Sequence, residues 1–209
     1  MSARHPGLPF DVARAPLRTV RPRDAAYSNP RKELARLETQ GLLHRVAEGF
    51  YTVVPQNRVG SEWLPTLEGA AAGIGAAEFG TGNYALMSLT AARLHNAIPR
   101  AIATATIAAP RRRQSLRLTD REATVRFLVR DIAVLQVELM QTDLGDCLVT
   151  TPEQTVLDLA HLPGIGAAEG EAMAAIQTLM PRCDWDQMAE IASTQRLGRA
   201  LERVRRMAS

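Results

Sequence analysis

Between Asn29 and Pro55 local chemistry leaves the chain few conformations. Asn29 is an N-cap residue type, Pro30 suits a first helical position, and Gly41 suits a helix stop, so Pro30 to Gln40 reads as a helix. Leu42 to Val46 alternates loosely, and Ala47-Glu48-Gly49 then turns, with Gly49 free to take positive φ. Phe50 to Val54 is aromatic and β-branched, and Pro55 closes the run. This pattern predicts a β-hairpin. On a helical wheel Leu34 and Leu37 share one face, while Lys32, Arg36, Thr39 and Gln40 share the opposite one. An apolar seam opposite a donor-rich face is what reading a DNA major groove requires. A short helical stretch near Pro22 to Tyr27 and the turn Tyr27-Ser28-Asn29 complete a winged helix-turn-helix within residues 1–55.

Charge is distributed to match. Residues 1–58 hold ten basic and five acidic side chains, a net +5, whereas residues 59–209 hold fifteen and seventeen, a net −2. Positive charge collects where a polyanion would be met. In this reading Lys32 and Arg36 face bases and phosphates, with Thr39 and Gln40 beside them. Arg31 meets phosphate at the helix start, Arg21 and Arg23 hold the DNA backbone from the preceding helix, and Arg45 or His44 reaches it from the wing. Each neutralised phosphate should steepen the log–log salt dependence of binding by about 0.9.

The most apolar stretch, Ala101 to Pro110, is about half the length of a membrane span, and the first 30 residues lack an apolar signal core. A cytoplasmic protein with no membrane contact is expected. Cys147 and Cys183 lie far apart and read as small apolar residues.

After a polar connector at 56–62, residues 60–209 predict a larger domain. Helices are expected over Trp63–Phe79 and Tyr84–His95, and strands over Ile102–Ala108, Ser115–Leu118, Thr124–Val129, Val134–Met140 and Cys147–Val149. A helix from Thr151 follows, with Pro152 at its first position and Gln154 placed to close a capping box, ending near His161. Ala167–Met180, Trp185–Thr194 and Arg196–Met207 are helical. The fold class is α+β: a winged helix-turn-helix, then a mainly antiparallel sheet flanked by helices with a helical C-terminus.

Chemistry is sparse in this second part. Gly73-Ile74-Gly75 and Gly80-Thr81-Gly82 lack the spacing of phosphate loops, and small-residue helix packing accounts for them better. His95 and His161 sit near helix ends and read as capping groups. Asp143, Asp146, Glu153 and Asp158 have no metal-ligand spacing. No catalytic residue, metal site or cofactor is identified. Arg111, Arg112 and Arg113 in one connection, and Arg199 and Arg203 on the last helix, are candidates for contact with an acidic partner.

Three segments in this order resemble antitoxins of the AbiEi type: Gly41 to Val46 with Gly49-Phe50-Tyr51, Ala85 to His95, and Val149 to Ala160. The resemblance spans about residues 17–165. It implies a two-domain antitoxin encoded beside a nucleotidyltransferase toxin. The winged helix of such a protein represses the shared promoter by binding inverted repeats in double-stranded DNA, and its C-terminal domain neutralises the toxin. In the type IV scheme no stable complex is needed. In the related type VII scheme the antitoxin phosphorylates a serine of the toxin, which requires ATP and magnesium, yet no nucleotide or metal site is legible here. A plain winged-helix transcription regulator with a ligand-sensing second domain is the other alternative. The residues before Leu17 are rich in Pro and Arg and depart from the family pattern by giving no clean first helix.

Overall fold

The computed structural model describes residues 7–164 and 169–208. Near the N-terminus, α1 (Phe10–Ala13) is one turn long and β1 (Thr19–Val20) follows it. Pro22–Asp24 forms a single 3₁₀ turn, shorter than the helical stretch expected to Tyr27. Helix α2 (Pro30–Thr39) starts as its sequence predicts, with the Asn29 side chain accepting from the Lys32 amide. The hairpin of β2 (Leu43–Ala47) and β3 (Phe50–Val53) also forms, turning at Gly49 with φ 76°. Strand β1 adds to its far edge, giving the order β1-β3-β2, all antiparallel. This third strand is not legible in the sequence, because two residues are too few to show a period.

A small core unites these pieces. Leu34 and Leu37 of α2 are fully buried against Val12, Val20, Leu43, Tyr51 and Val53. The opposite face of the hairpin does not meet solvent. Val46, Ala47 and Phe50 belong to the central core of the rest of the molecule.

Helix α3 (Leu67–Phe79) runs through that central core and is buried almost all round. Its glycines are required by close approach. A Cβ on Gly73 would lie 2.2 Å from the Thr19 hydroxyl, and one on Gly75 would lie 2.5 Å from the Tyr84 ring. Small-residue packing is therefore the role of the Gly73–Gly75 segment.

The second sheet has six strands: β4 (Ala85–Leu86), β5 (Thr104–Ala109), β6 (Leu116–Arg117), β7 (Thr124–Val129), β8 (Val137–Thr142) and β9 (Gly145–Thr150). Their order is β6-β7-β5-β4-β9-β8. Three pairings, β4–β5, β6–β7 and β8–β9, run antiparallel, and two, β5–β7 and β4–β9, run parallel, so the sheet is mixed with an antiparallel majority.

The helix expected over Tyr84–His95 is shorter than its sequence suggests. Ala85 and Leu86 extend between β5 and β9, and α4 (Ser88–Leu94) begins only after them, at a Ser88 held with φ 57°. Pairing on both sides overrides local helix propensity.

Five helices build the third core: α4, α5 (Pro152–His161), α6 (Glu169–Leu179), α7 (Trp185–Thr194) and α8 (Gly198–Ala208). The start of the helix expected from Ala167 lies outside the described residues. Thr151 caps α5 by accepting from the Gln154 amide, but the capping box stays half-formed. The Gln154 side chain turns away to Gln136, Asp158 and Gln195.

Candidate nucleic-acid interface and an arginine cluster at the junction

Burying Leu34 and Leu37 fixes which side of α2 looks outward. Arg31, Lys32, Arg36, Thr39 and Gln40 are all exposed. Arg36 lies against Glu33 one turn earlier, an ion pair that lowers the Glu33 carboxyl and raises the Arg36 guanidinium from their ordinary values. Both groups remain in solvent, where such a pair is worth little and exchanges readily for a stronger anion. The Thr39 hydroxyl donates to the Ala35 carbonyl. The Tyr27 phenol is raised, first by burial and then by Asp11 and Glu33.

The other expected contacts distribute differently. Glu78, near the end of α3, has its side chain only 3% exposed, and four arginines converge on it. Arg21 reaches it at 2.7 Å, Arg111 at 2.9 Å, Arg113 at 3.0 Å and Arg23 at 3.3 Å. Arg21 also holds Asp24 at 2.6 Å. Two of these cations come from the N-terminal segment and two from the loop after β5. A buried carboxylate needs such partners, because an unpaired charge in the interior is costly. The sequence offered one cue to Glu78: a lone acid in the run Ala76-Ala77-Glu78-Phe79, deep in an apolar helix.

The cluster borders a cavity of about 400 Å³ lined by Arg21, Arg23, Arg31, Arg45 and Arg113, with Glu48 and Glu78 among its walls. Arg113 lies over the rings of Phe50 and Phe127, at 5.3 and 5.6 Å from their centroids. The Nε groups of Arg45 and Arg113 are buried and meet no acceptor among the described residues. Arg112 is exposed beside them.

His44 turns inward. Its Nε2 meets Asp120 at 2.7 Å, and its ring stands edge-on to Trp63. Burial pushes the Asp120 carboxyl up, but hydrogen bonds from His44 and Arg121, with their charge, outweigh this and bring it down to about 2. Nearby, the Thr119 amide donates to the Val46 carbonyl and its hydroxyl to that of Arg45. The hairpin is thereby tied to the six-stranded sheet.

The remaining polar groups hold elements together. His95 is buried and bonds the Thr150 carbonyl at 2.8 Å, on β9 rather than at a helix end. Arg130 bridges Asp158 and Gln195 at 2.9 and 2.8 Å. Asp158 is raised by burial, against the opposing pull of Arg130 and Gln154. Arg203 donates to the Ala160 carbonyl at the end of α5, while Arg199 is exposed on α8. Burial pushes the Cys147 and Cys183 thiols up to about 12. Among the described residues, no group of three or more His, Cys, Asp or Glu is arranged to hold a metal ion, and no helix is long and apolar enough to cross a membrane.

Comparison with solved structures finds the same fold in the RV2827C protein from Mycobacterium tuberculosis. The TM-score is 0.57 at 15% identity, over 89% of this chain and 72% of that one. Among curated proteins no relative matches. The family model for the AbiEi antitoxin C-terminal domain matches residues 84–207, from Tyr84 before β4 through the sheet and the helices to Met207 near the end of α8. That stretch is more than half of the 209 residues, and on it the chain belongs to the AbiEi antitoxin C-terminal domain family, with an antitoxin's role and a toxin as its partner.

Proposed function

We propose that this antitoxin binds double-stranded DNA of its own promoter through α2, and neutralises a nucleotidyltransferase toxin through the part that follows. The observation that carries the DNA reading is the outward cationic face of α2, held rigid by two fully buried leucines. The order helix, helical turn, strand, helical turn, helix, strand, strand from Phe10 to Val53 supports reading this segment as a winged helix. Its first two helices are reduced to single turns. Lys32 and Arg36 would read the groove, Arg31 would meet phosphate at the helix start, and Thr39 and Gln40 would donate alongside. Because the hairpin is docked on the second sheet, Arg45 serves as its basic contact and His44 does not. Binding at inverted repeats would place two copies on one operator and give autorepression.

Fluorescence anisotropy with a duplex from the chain's own upstream region tests this, against a scrambled duplex at the same salt. The Lys32→Ala/Arg36→Ala pair should weaken specific binding by about tenfold or more, the scale of one lost bidentate contact. Equal affinity for both duplexes, or no effect of the pair, would remove α2 from the interface. Co-expression with the neighbouring nucleotidyltransferase reading frame tests the second half. Growth should be restored by the full chain, and continued arrest would contradict the pairing.

A further inference from the structure

The arginine cluster holds more positive charge than the fold uses. Five arginines line the junction cavity against two glutamates, leaving an excess of three positive charges around about 400 Å³. Four guanidinium groups already share the single Glu78 carboxylate, and of these Arg21 also holds Asp24, so Arg23, Arg111 and Arg113 are only partly satisfied by it and the four repel one another. Two buried Nε–H donors, on Arg45 and Arg113, have no acceptor among the described residues. A buried donor without an acceptor is uncommon and calls for a reason.

We propose that this cavity is a binding site for a phosphate group. Guanidinium forks match phosphate oxygens two at a time. A phosphate monoester or inorganic phosphate carries about 1.5 to 2 negative charges near neutral pH, closer to the excess of three than one carboxylate is. The cavity is also large enough for one such group. Its walls come from the start of α2 (Arg31), the β2–β3 turn (Glu48), α3 (Glu78) and the loop after β5 (Arg113). An occupant therefore bridges the DNA-facing helix to the six-stranded sheet. Small phosphate compounds and a DNA backbone phosphate share this chemistry. Only the second source rests on the DNA reading above.

The test uses the full chain at fixed ionic strength, with inorganic phosphate titrated against chloride and followed by calorimetry and thermal shift. The wild type should bind phosphate and gain thermal stability. Arg113→Gln and Arg23→Gln should each weaken that binding by about tenfold. Arg23→Gln keeps the comparison valid if Arg113→Gln misfolds, because the Arg23 side chain is 60% exposed. Arg117→Gln, an exposed residue paired with Glu122 away from the cavity, should change nothing. A second arm measures duplex binding. If phosphate competes with the duplex, and Arg113→Gln weakens duplex binding, the backbone is the source. If phosphate binds and the duplex is indifferent to it, a free phosphate compound is the source. Lys32→Ala/Arg36→Ala should alter only the duplex arm, which separates failure of the α2 reading from failure of this one. The proposal is overturned if phosphate acts no differently from chloride and Arg113→Gln and Arg23→Gln leave both arms unchanged.

Discussion

Single residues decide whether the two halves hold together. Glu78 is nearly solvent-free and is the common anion for Arg21, Arg23, Arg111 and Arg113. Neutralising it leaves a set of like charges with no centre. Glu78→Gln should cost about 3 kcal/mol in urea unfolding, and a variant as stable as the wild type would show that solvent satisfies these arginines. Leu37 is fully buried beneath α2. Leu37→Ala should cost about 2 to 5 kcal/mol, the usual range for a leucine cavity, and the same urea melts measure it. Asp120 adds a pH dependence. Its folded value of about 2 lies below its ordinary 3.8, so its contribution is present above about pH 4 and fades as pH falls toward 2. Asp120→Asn should lose about 2 kcal/mol at neutral pH and flatten this acid limb. An unchanged acid limb would mean that the His44 contact contributes little.

At the scale of elements, what the sequence revealed follows the range of the forces. Helix α2 and the hairpin were legible because their signals are local: an Asn cap, a Pro at the first turn, Gly41 and Gly49 at the stops, and leucines at helical spacing. Trp185–Thr194 was legible for the same reason. Strand β4 was not, because Ala85 and Leu86 extend only through pairing with Ala108, Ile107 and Val149, tens of residues away. Half of the capping box at Gln154 failed for a similar reason, since Asp158 and Gln195 compete for its side chain. The exposed cations of α2 could be read from a wheel. The arginine cluster could not, because its members lie 33 to 57 residues from Glu78 along the chain. Nothing local showed that the run Arg111 to Arg113 faces Arg23.

Across the whole molecule, the N-terminal segment and the family domain share a core. Val46, Ala47 and Phe50 are packed among residues of α3, β5, β7 and β9. A chain beginning at residue 60 should therefore melt with a broadened, lower transition, and a sharp transition at the full-length temperature would show that the two parts fold independently. This joint holds α2 at a fixed attitude to the sheet, with its cations turned outward. The account depends most on that face meeting a nucleic acid. The direct measurement is the slope of log affinity for the promoter duplex against log salt, for the wild type and for Lys32→Ala/Arg36→Ala. If both side chains neutralise phosphates, the variant's slope should be shallower by about 1.8, two counter-ions' worth. An identical slope at identical affinity would contradict the account.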